Sequence, residues 1–179
     1  MQNTLETWKI KKSEQIADCK VFTVRQNLSK SSEGKESNFY VLDNPDWVNV
    51  IALTESNEVV VIEQFRHGIE EITLEIPGGM VDGDEGAGEA AKRELVEETG
   101  YTPREIILLG KSLPNPAIQN NWVYHYLAID CQKTHEPEFD STENVQTKLV
   151  DLSYISKAIK NGEITHSLVI AAFYWFSLR

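Results

Sequence analysis

Three glutamates lie close together near the end of one predicted helix. Glu94, Glu97 and Glu98 occupy positions i, i+3 and i+4, so their carboxylates share one helical face. Like charges at these spacings cost roughly 0.2–0.5 kcal/mol per pair, and anions at a helix C-terminus cost about 0.3–1 kcal/mol each. A bound Mg²⁺ would offset that cost, because it prefers hard oxygen ligands and keeps sites for water and phosphate oxygens. The alternative is a solvated acidic face with Lys92 and Arg93 as its partners.

The glutamates belong to a longer pattern of charged residues and glycines. Gly79 is followed after five residues by Glu85 and, after seven more, by the run Arg93-Glu94-Leu95-Val96-Glu97-Glu98-Thr99-Gly100. This pattern resembles the Nudix box, the signature of the Nudix hydrolase family, at every charged and glycine position. Two positions depart from it. Aromatic Tyr101 stands where an aliphatic residue is usual, and Gly86 stands where many relatives have a Ser or Thr cap.

The resemblance implies a loop–helix–loop that holds Mg²⁺ or Mn²⁺, as two or more ions, against a diphosphate linked to a nucleoside. Water attacks one phosphorus, while the cations neutralise the developing charge and lower the pKa of the water. The matched positions make Glu94 and Glu98 the expected metal ligands, with Glu97 sharing or supporting them. The carbonyl of Gly78 is expected as a further ligand, since the Pro77-Gly78-Gly79 turn delivers backbone to the site.

Arg93 and Glu85 are expected to support the metal ligands. By the resemblance, Arg93 orients the glutamates and Glu85 pairs with Arg93 from behind. A purely structural ion pair is the competing interpretation, and the two roles can coexist.

The same family supplies a late acidic residue for water activation or a further metal. Glu143, just before a predicted strand, matches best, with Glu136, Glu138 and Asp140 as alternates. Many relatives have two acids at i and i+2 in this loop, and Ser141 stands at the first of those positions here. The general base therefore stays open between Glu143 and the helix residues Glu94 and Glu98.

Beyond the box, the chain resembles the ADP-ribose and nucleotide-sugar pyrophosphatase branch of the family. The similarity lies in Val61-Ile-Glu-Gln-Phe-Arg66, Leu74-Glu-Ile-Pro-Gly-Gly79 and Gly162-Glu-Ile-Thr165. Members of that branch are commonly homodimers in which the N-terminal sheet crosses to the partner and helps to build the nucleoside pocket. Here that sheet would use residues 1–45.

Four residues are candidates for substrate binding. Arg66 matches the branch position expected to meet a phosphate or terminal ribose, for which a guanidinium fork is suited, although it could be a surface arginine at a strand end. Trp47 and Phe39 could stack on a purine or belong to the core. Asn115 lies in the Pro114–Asn121 loop, which is expected to be a substrate-side lid or a simple turn.

The predicted elements that must position these residues are strands on both sides of one helix. The first two strands, residues 20–25 and 38–42, form a hairpin with a long exposed loop at Ser29–Lys35. The others are strands at 48–53, 59–62, 72–76, 105–109, 122–129 and 145–149 and helices at 86–99, 153–160 and 167–178.

This order of elements predicts an α+β fold, and the resemblance refines it to a Nudix-like α/β/α sandwich with an N-terminal antiparallel β subdomain. The boundary is expected at Asn44-Pro45-Asp46. It separates an N-terminal β subdomain (1–45), for dimerisation and nucleoside contacts, from a Nudix hydrolase domain (46–179).

Composition limits the possible partners. The 179 residues contain 17 Lys and Arg against 28 Asp and Glu, a net charge of −11, which argues against a nucleic-acid-binding face. The longest apolar stretch, Leu168–Leu178, is too short to span a bilayer, so no membrane partner is expected. Two distant cysteines and no visible secretory signal predict a reduced, cytoplasmic protein. The four histidines show no metal spacing and are predicted to be incidental: His67, His125, His135 and His166.

These features together predict metal-dependent hydrolysis of a nucleoside diphosphate sugar. ADP-ribose would be cleaved to AMP and ribose 5-phosphate. The alternatives are another Nudix substrate, such as a GDP-sugar or an oxidised nucleoside triphosphate, and a sensor that binds a nucleotide sugar without cleaving it. The intact set of helix glutamates speaks against the sensor.

Overall fold

The structure is a computed structural model that describes residues 5–138 and 144–179. Its contacts divide the chain into two compact units. The first unit contains Met1–Pro45 and Leu113–Asn121, and the second contains Asp46–Ser112 and Trp122–Arg179.

The first unit contains a three-stranded antiparallel sheet in the order β1-β2-β3, formed by β1 (Trp8–Asp18), β2 (Thr23–Ser31) and β3 (Glu36–Asp43). The predicted hairpin is confirmed as β2 and β3. The sequence analysis missed β1, of whose eleven residues all but one are exposed. Its mixture of Lys, Ser, Glu and Gln lacks the apolar alternation by which a half-buried strand is recognised.

The prediction of a long exposed loop between β2 and β3 was wrong. The strand β2 continues to Ser31, and the turn occupies only the four residues Ser32–Lys35. The Ser31 hydroxyl oxygen accepts hydrogen bonds from the backbone N–H groups of Glu33, at 3.2 Å, and Lys35, at 3.0 Å. Ser31 is therefore the last residue of β2, and its hydroxyl stabilises the turn that follows. A polar residue at this position does not indicate a loop.

The second stretch of the first unit pairs with β3. The backbone N–H of Leu42 donates to the carbonyl of Ile118 at 2.7 Å. The side-chain amide of Asn120 donates to Asp43 at 2.7 Å. The loop that carries Asn115 is thus held to β3 by both backbone and side-chain hydrogen bonds.

The second unit is built on a seven-stranded mixed sheet. Five strands follow in the order β12-β5-β4-β10-β9, while β6 pairs with β5 and β7 pairs with β4. The β4–β10 pair is parallel and the other pairs are antiparallel. The strands are β4 (Trp47–Leu53), β5 (Glu58–Arg66), β6 (Glu71–Glu75), β7 (Gly78–Met80), β9 (Glu105–Ser112), β10 (Val123–Ile129) and β12 (Val145–Asp151). A separate short pair joins β8 (Tyr101–Thr102) to β11 (Gln132–Lys133).

Three helices cover the two faces of this sheet: α1 (Ala87–Thr99), α2 (Leu152–Asn161) and α3 (Ser167–Ser177). Alternate residues of β4 point to opposite faces, as the pleat requires. Val48 and Val50 pack with Leu95 of α1, whereas Ile51 packs with Ile155 of α2 and with α3. The predicted α/β/α sandwich is confirmed. Among the described residues, no helix has the length and apolar character needed to cross a membrane.

Candidate active site

The last turn of the helix α1 contains two glutamates, Glu97 and Glu98. Gly100 follows its last residue in the left-handed conformation (φ 73°), and the Gly100 N–H donates to the Val96 carbonyl at 2.7 Å. No basic residue occupies the last turn. The last turn of the helix therefore carries Glu97 and Glu98 at positions where the helix dipole favours basic residues.

A neighbouring segment packs against this helix end. The N–H groups of Thr134 and His135 donate to the Gly100 carbonyl at 2.9 and 3.1 Å, and the Glu138 N–H donates to the Glu97 carbonyl at 2.9 Å. A β-carbon at Gly100 would collide with the His135 carbonyl, so this approach requires glycine. Glu138 is thereby brought beside Glu97 through its backbone.

Of the other late acids predicted for water activation, Glu136 lies among the described residues. Glu136 is exposed and lies 3.5 Å from Lys133. Asp140 and Glu143 lie outside the described residues.

The short strand β7 lies against the carboxylates of α1. The Gly78 N–H donates to Glu98 Oε2 at 2.9 Å. A β-carbon at Gly79 would fall on the Glu94 carboxylate, so the absence of a side chain there lets Glu94 lie directly on the backbone. Glu98 is only 6% exposed and the Glu94 side chain 14%. The structure thus brings together two predicted ligand carboxylates and the glycine turn.

Arg93 joins the remaining acidic residues of the motif. Its Nη2 lies 2.7 Å from Glu85 Oε1, and its Nη1 lies 3.0 Å from both Glu94 Oε1 and Glu97 Oε2. Nη2 also donates to the Met80 carbonyl at 3.0 Å. The hydrogen bond to Glu85 raises the pKa of Arg93 above its ordinary value. Burial opposes this shift, and the charge of Glu94 adds to it. Arg93 lowers the pKa of the Glu85 carboxyl in turn. One guanidinium therefore fixes three carboxylates.

A cavity of about 650 Å³ opens beside this cluster in the second unit. Gly78 and Gly79 form one wall, Arg66 and Glu75 another, and Trp47 an aromatic part of the lining. The residues around the start of α3, Thr165–Val169, complete it. This volume is within the range of small-molecule sites.

Arg66 is held within the cavity by a carboxylate that sequence reasoning missed. Its Nε and Nη2 donate to Glu75 Oε1 and Oε2 at 2.7 and 2.6 Å, while the Thr73 hydroxyl donates to Glu75 Oε1 at 2.5 Å. The Glu75 side chain is 2% exposed, and the Arg66 side chain is 41% exposed. Burial alone would raise the pKa of Glu75, but the hydrogen bonds from Arg66 and Thr73 outweigh it and lower that pKa. Glu75 thus fixes the guanidinium of Arg66, which lines the cavity and is partly exposed.

His166 completes this polar wall. Its Nδ1 lies 3.4 Å from Glu75 Oε2, without the geometry of a hydrogen bond. Burial lowers its pKa, and Glu75 opposes that shift less strongly. His166 was predicted to be incidental. It lies far from Glu75 in the sequence, and no local spacing connects them.

The four substrate-binding candidates divide between the two units. Trp47 and Arg66 line the cavity of the second unit. Phe39 and Asn115 belong to the first unit, where Phe39 packs edge to face on Trp8 with ring centroids 5.0 Å apart and is 43% exposed. The backbone carbonyl of Asn115 accepts a turn hydrogen bond from Gln119 N–H at 2.8 Å.

The donor set around β7 fits a magnesium-type cation. Within residues 5–138 and 144–179, no three His, Cys, Asp or Glu side chains converge as a complete metal site. Mg²⁺ does not need such a cage, because it is usually held by one or two carboxylates and completes its shell with water and substrate oxygens. The carboxylates of Glu94 and Glu98, side by side against β7, are hard oxygen donors of that kind.

Sequence reasoning also missed a buried polar group in the sheet of the second unit. His125 is fully buried, with Nδ1 2.7 Å from Asn49 Oδ1 and Nε2 2.8 Å from Ser112 Oγ. Burial lowers its pKa to about 4. His125 was predicted to be incidental, and the structure shows it as a buried, hydrogen-bonded residue. Its partners, Asn49 on β4 and Ser112 on β9, are distant in the sequence from His125 or on another strand, so no local spacing indicates these contacts.

Comparison with known proteins is consistent with this geometry. The family model described as NUDIX domain matches residues 43–173. The chain is 29% identical to an ADP-ribose pyrophosphatase of Bacillus subtilis over 93% of this chain and 90% of that one. It is 28% identical to a methanol dehydrogenase activator of Bacillus methanolicus over 94% and 91%. A solved ADP compounds hydrolase superposes with a TM-score of 0.86 over 98% of this chain and 95% of that one, at 21% identity, which is a likeness of fold.

The chain belongs to the NUDIX family. With the helix glutamates, their arginine and the adjoining cavity all present, it is a Nudix hydrolase.

Proposed function

We propose that this Nudix hydrolase cleaves the diphosphate bond of a nucleoside diphosphate sugar, with ADP-ribose giving AMP and ribose 5-phosphate. The observation that carries the proposal is that the Glu94 and Glu98 carboxylates lie against the same β7 backbone that forms a wall of the cavity. Arg66 stands on another wall, so one ligand can meet both groups. The resemblance to ADP-ribose pyrophosphatases supports the choice of substrate.

Each residue has a distinct task in this proposal. Glu94 and Glu98, with backbone oxygen from Gly78, would hold Mg²⁺ or Mn²⁺, and Glu97 would share or support them. The bound cations would supply charge neutralisation at the diphosphate and a more acidic water. Arg93 keeps the carboxylates in position while Glu85 holds Arg93. Arg66, fixed by Glu75, would donate to a phosphate or ribose oxygen of the substrate.

The reaction itself is a substitution at phosphorus. The oxygen of a water molecule bonds to one phosphorus, the bond to the bridging oxygen breaks, and the departing phosphate carries that oxygen away. A carboxylate must accept the proton of the water. Glu143 and the helix residues Glu94 and Glu98 are the candidates for this base.

The test is product analysis with a matched pair of variants. Purified protein is incubated with a panel of nucleotide sugars and nucleoside triphosphates, with Mg²⁺ and separately with Mn²⁺. We expect AMP and ribose 5-phosphate from ADP-ribose. In Glu98→Gln we expect turnover to fall by at least about 100-fold, because the charge of a metal ligand is lost while the shape of the side chain is kept. Thermal unfolding should show that Glu98→Gln is folded.

Glu89→Gln is the control, since Glu89 lies on the same helix with its side chain 72% exposed and paired only loosely with Lys92 at 3.7 Å. Its rate should equal that of the wild type. Calorimetric titration with Mg²⁺ or Mn²⁺ tests the cation directly. Intact ADP-ribose in every metal condition, or a wild-type rate in Glu98→Gln, would reject the proposal. Tight binding of a nucleotide sugar without products would favour a sensor instead.

We further propose that the first unit forms the interface of a homodimer. Its sheet exposes large apolar side chains on β1 and β3, including Trp8 (39%), Ile10 (55%), Phe39 (43%) and Tyr40 (53%), and the Trp8 and Phe39 rings pack edge to face. Clustered exposed apolar residues on a sheet are typical of a protein–protein contact. A second copy of this chain is the partner that the family resemblance indicates.

A further inference from the structure

A chain of hydrogen bonds runs from the edge strand β9 across β10 and β4 to the start of α3. It begins at the Ser112 hydroxyl, passes through the His125 ring and ends with Asn49, whose side-chain amide donates to the Leu168 carbonyl at 3.0 Å. His125 is 0% and Asn49 6% exposed. Burial of so many polar groups is costly unless all of them are paired, and here each has a partner.

The direction of every bond in this chain follows from its last acceptor. The Leu168 carbonyl can only accept, so the Asn49 nitrogen must face it and the Asn49 oxygen must face His125. That oxygen can only accept, so His125 carries its proton on Nδ1. Because burial disfavours the charged ring, His125 is neutral, so Nε2 carries no proton and accepts from the Ser112 hydroxyl. The chain of bonds then holds the neutral imidazole in a single tautomer.

Asn49 also contacts Gly78, another residue that lines the cavity. Its backbone is in register with Gly78 of β7, and a β-carbon on Gly78 would come within 2.8 Å of Asn49 Cα. Asn49, Gly78 and Leu168 all line the cavity. One residue thus contacts the glycine wall through its main chain and the α3 wall through its side chain.

We propose that Asn49 and His125 are positioning residues that hold the first turn of α3 at a fixed distance from the Gly78–Gly79 wall. The side chains of Asn49 and His125 are hydrogen-bonded to each other, to Ser112 and to Leu168, so we expect their contribution to concern substrate binding rather than the chemical step. The side chain of Asn49 can be removed without removing its backbone pairing to Gly78. The readout in KM rests on the proposed function.

Two variants separate positioning from stability. Asn49→Leu has a similar shape but breaks both side-chain bonds and leaves the buried His125 N–H without its acceptor. Its melting temperature should fall. The double variant Asn49→Leu with His125→Phe replaces both partners by apolar groups, which is often nearly neutral for stability. It should recover much of the melting temperature.

Both variants should nevertheless raise KM for ADP-ribose about fivefold or more, with kcat within about twofold of the wild type, because a displaced cavity wall impairs binding. Amide hydrogen exchange in the first turns of α3 should be faster in both. Ser112→Ala, which keeps the Asn49–Leu168 bond, is the control and should leave KM and exchange at wild-type values. ¹⁵N NMR should find the His125 proton on Nδ1.

Recovery of KM together with stability in the double variant would overturn the proposal, as would unchanged exchange in α3 or a proton on Nε2. The exchange and NMR measurements need no substrate. If the wild type did not hydrolyse ADP-ribose, the proposed substrate would fail, while these two measurements would still decide the positioning role.

Discussion

The adjacent glycines of β7, Gly78 and Gly79, have different neighbours. A substitution at one should therefore affect mainly stability, and a substitution at the other mainly catalysis. A β-carbon on Gly78 would meet backbone: the Val48 carbonyl, and Asn49 Cα at 2.8 Å. The atoms nearest to a β-carbon on Gly79 would be those of the Glu94 carboxylate. Backbone cannot move without disturbing the sheet, whereas a side chain can rotate away.

We therefore expect opposite effects from the two alanine substitutions. Gly78→Ala should destabilise the protein by about 1–3 kcal/mol, because it overpacks a paired strand. Gly79→Ala should cost less than about 1 kcal/mol but reduce kcat at least about tenfold, because a small displacement of a catalytic group is expensive. Chemical denaturation and steady-state kinetics measure the two quantities. Gly86→Ser, with open space around its β-carbon, is the control and should slightly stabilise α1 as a better cap.

Where sequence reasoning succeeded at the residue scale, the relevant spacing was local. The acidic set of α1 and its arginine fall within a short contiguous stretch, so helical periodicity alone places them together. Glu75, His166 and the Asn49–His125 pair could not be found in this way. Their contacts join residues from separate strands and a distant helix, and a single sequence carries no signal for such meetings.

At the scale of the elements, β4 is the strand on which the site depends. It pairs with β7 on one side of the site and with β10 in parallel, and its alternate side chains enter both layers of the core. The buried strands of this sheet could be predicted because their apolar runs are long. The strand β1 could not, because its exposed polar residues follow no period.

The buried histidine between these strands should make stability depend on pH. The pKa of His125 is about 4 when folded, against an ordinary value near 6.5, so the unfolded chain binds more protons between these limits. Stability should be complete above about pH 6.5 and fall as the pH drops toward 4, by up to about 3 kcal/mol from this group. The lowered pKa of His166 acts in the same direction.

The measurement is the free energy of unfolding at several pH values from about 7 to about 5.5, a range that lies above the ordinary pKa values of carboxylates. His125→Gln should show a shallower slope than the wild type. His67→Gln, at an exposed position, is the control for the loss of one histidine. Parallel slopes for wild type and His125→Gln would contradict the assignment.

At the scale of the whole molecule, the proposed dimer is tested by mass in solution. Tyr40→Asp and Ile10→Asp place charges on exposed positions of the first unit, so the fold should survive while association weakens. Light scattering after size exclusion should give a dimer for the wild type and a lower average mass for the variants. Leu108→Asp, at a 53% exposed position on β9, is the control and should remain dimeric. A monomeric wild type would refute the interface.

The parallel pairing of β4 with β10 has a consequence for the order in which the chain folds. The Asn49–His125 bond joins residues 76 positions apart, so the intervening chain must close as a loop before this bond can form. The helix α1 is held by local contacts and needs no such closure. We expect pulse-labelled hydrogen exchange to show protected amides in α1 before β10, so that a nascent chain acquires its acidic helix earlier than the pocket that the helix serves.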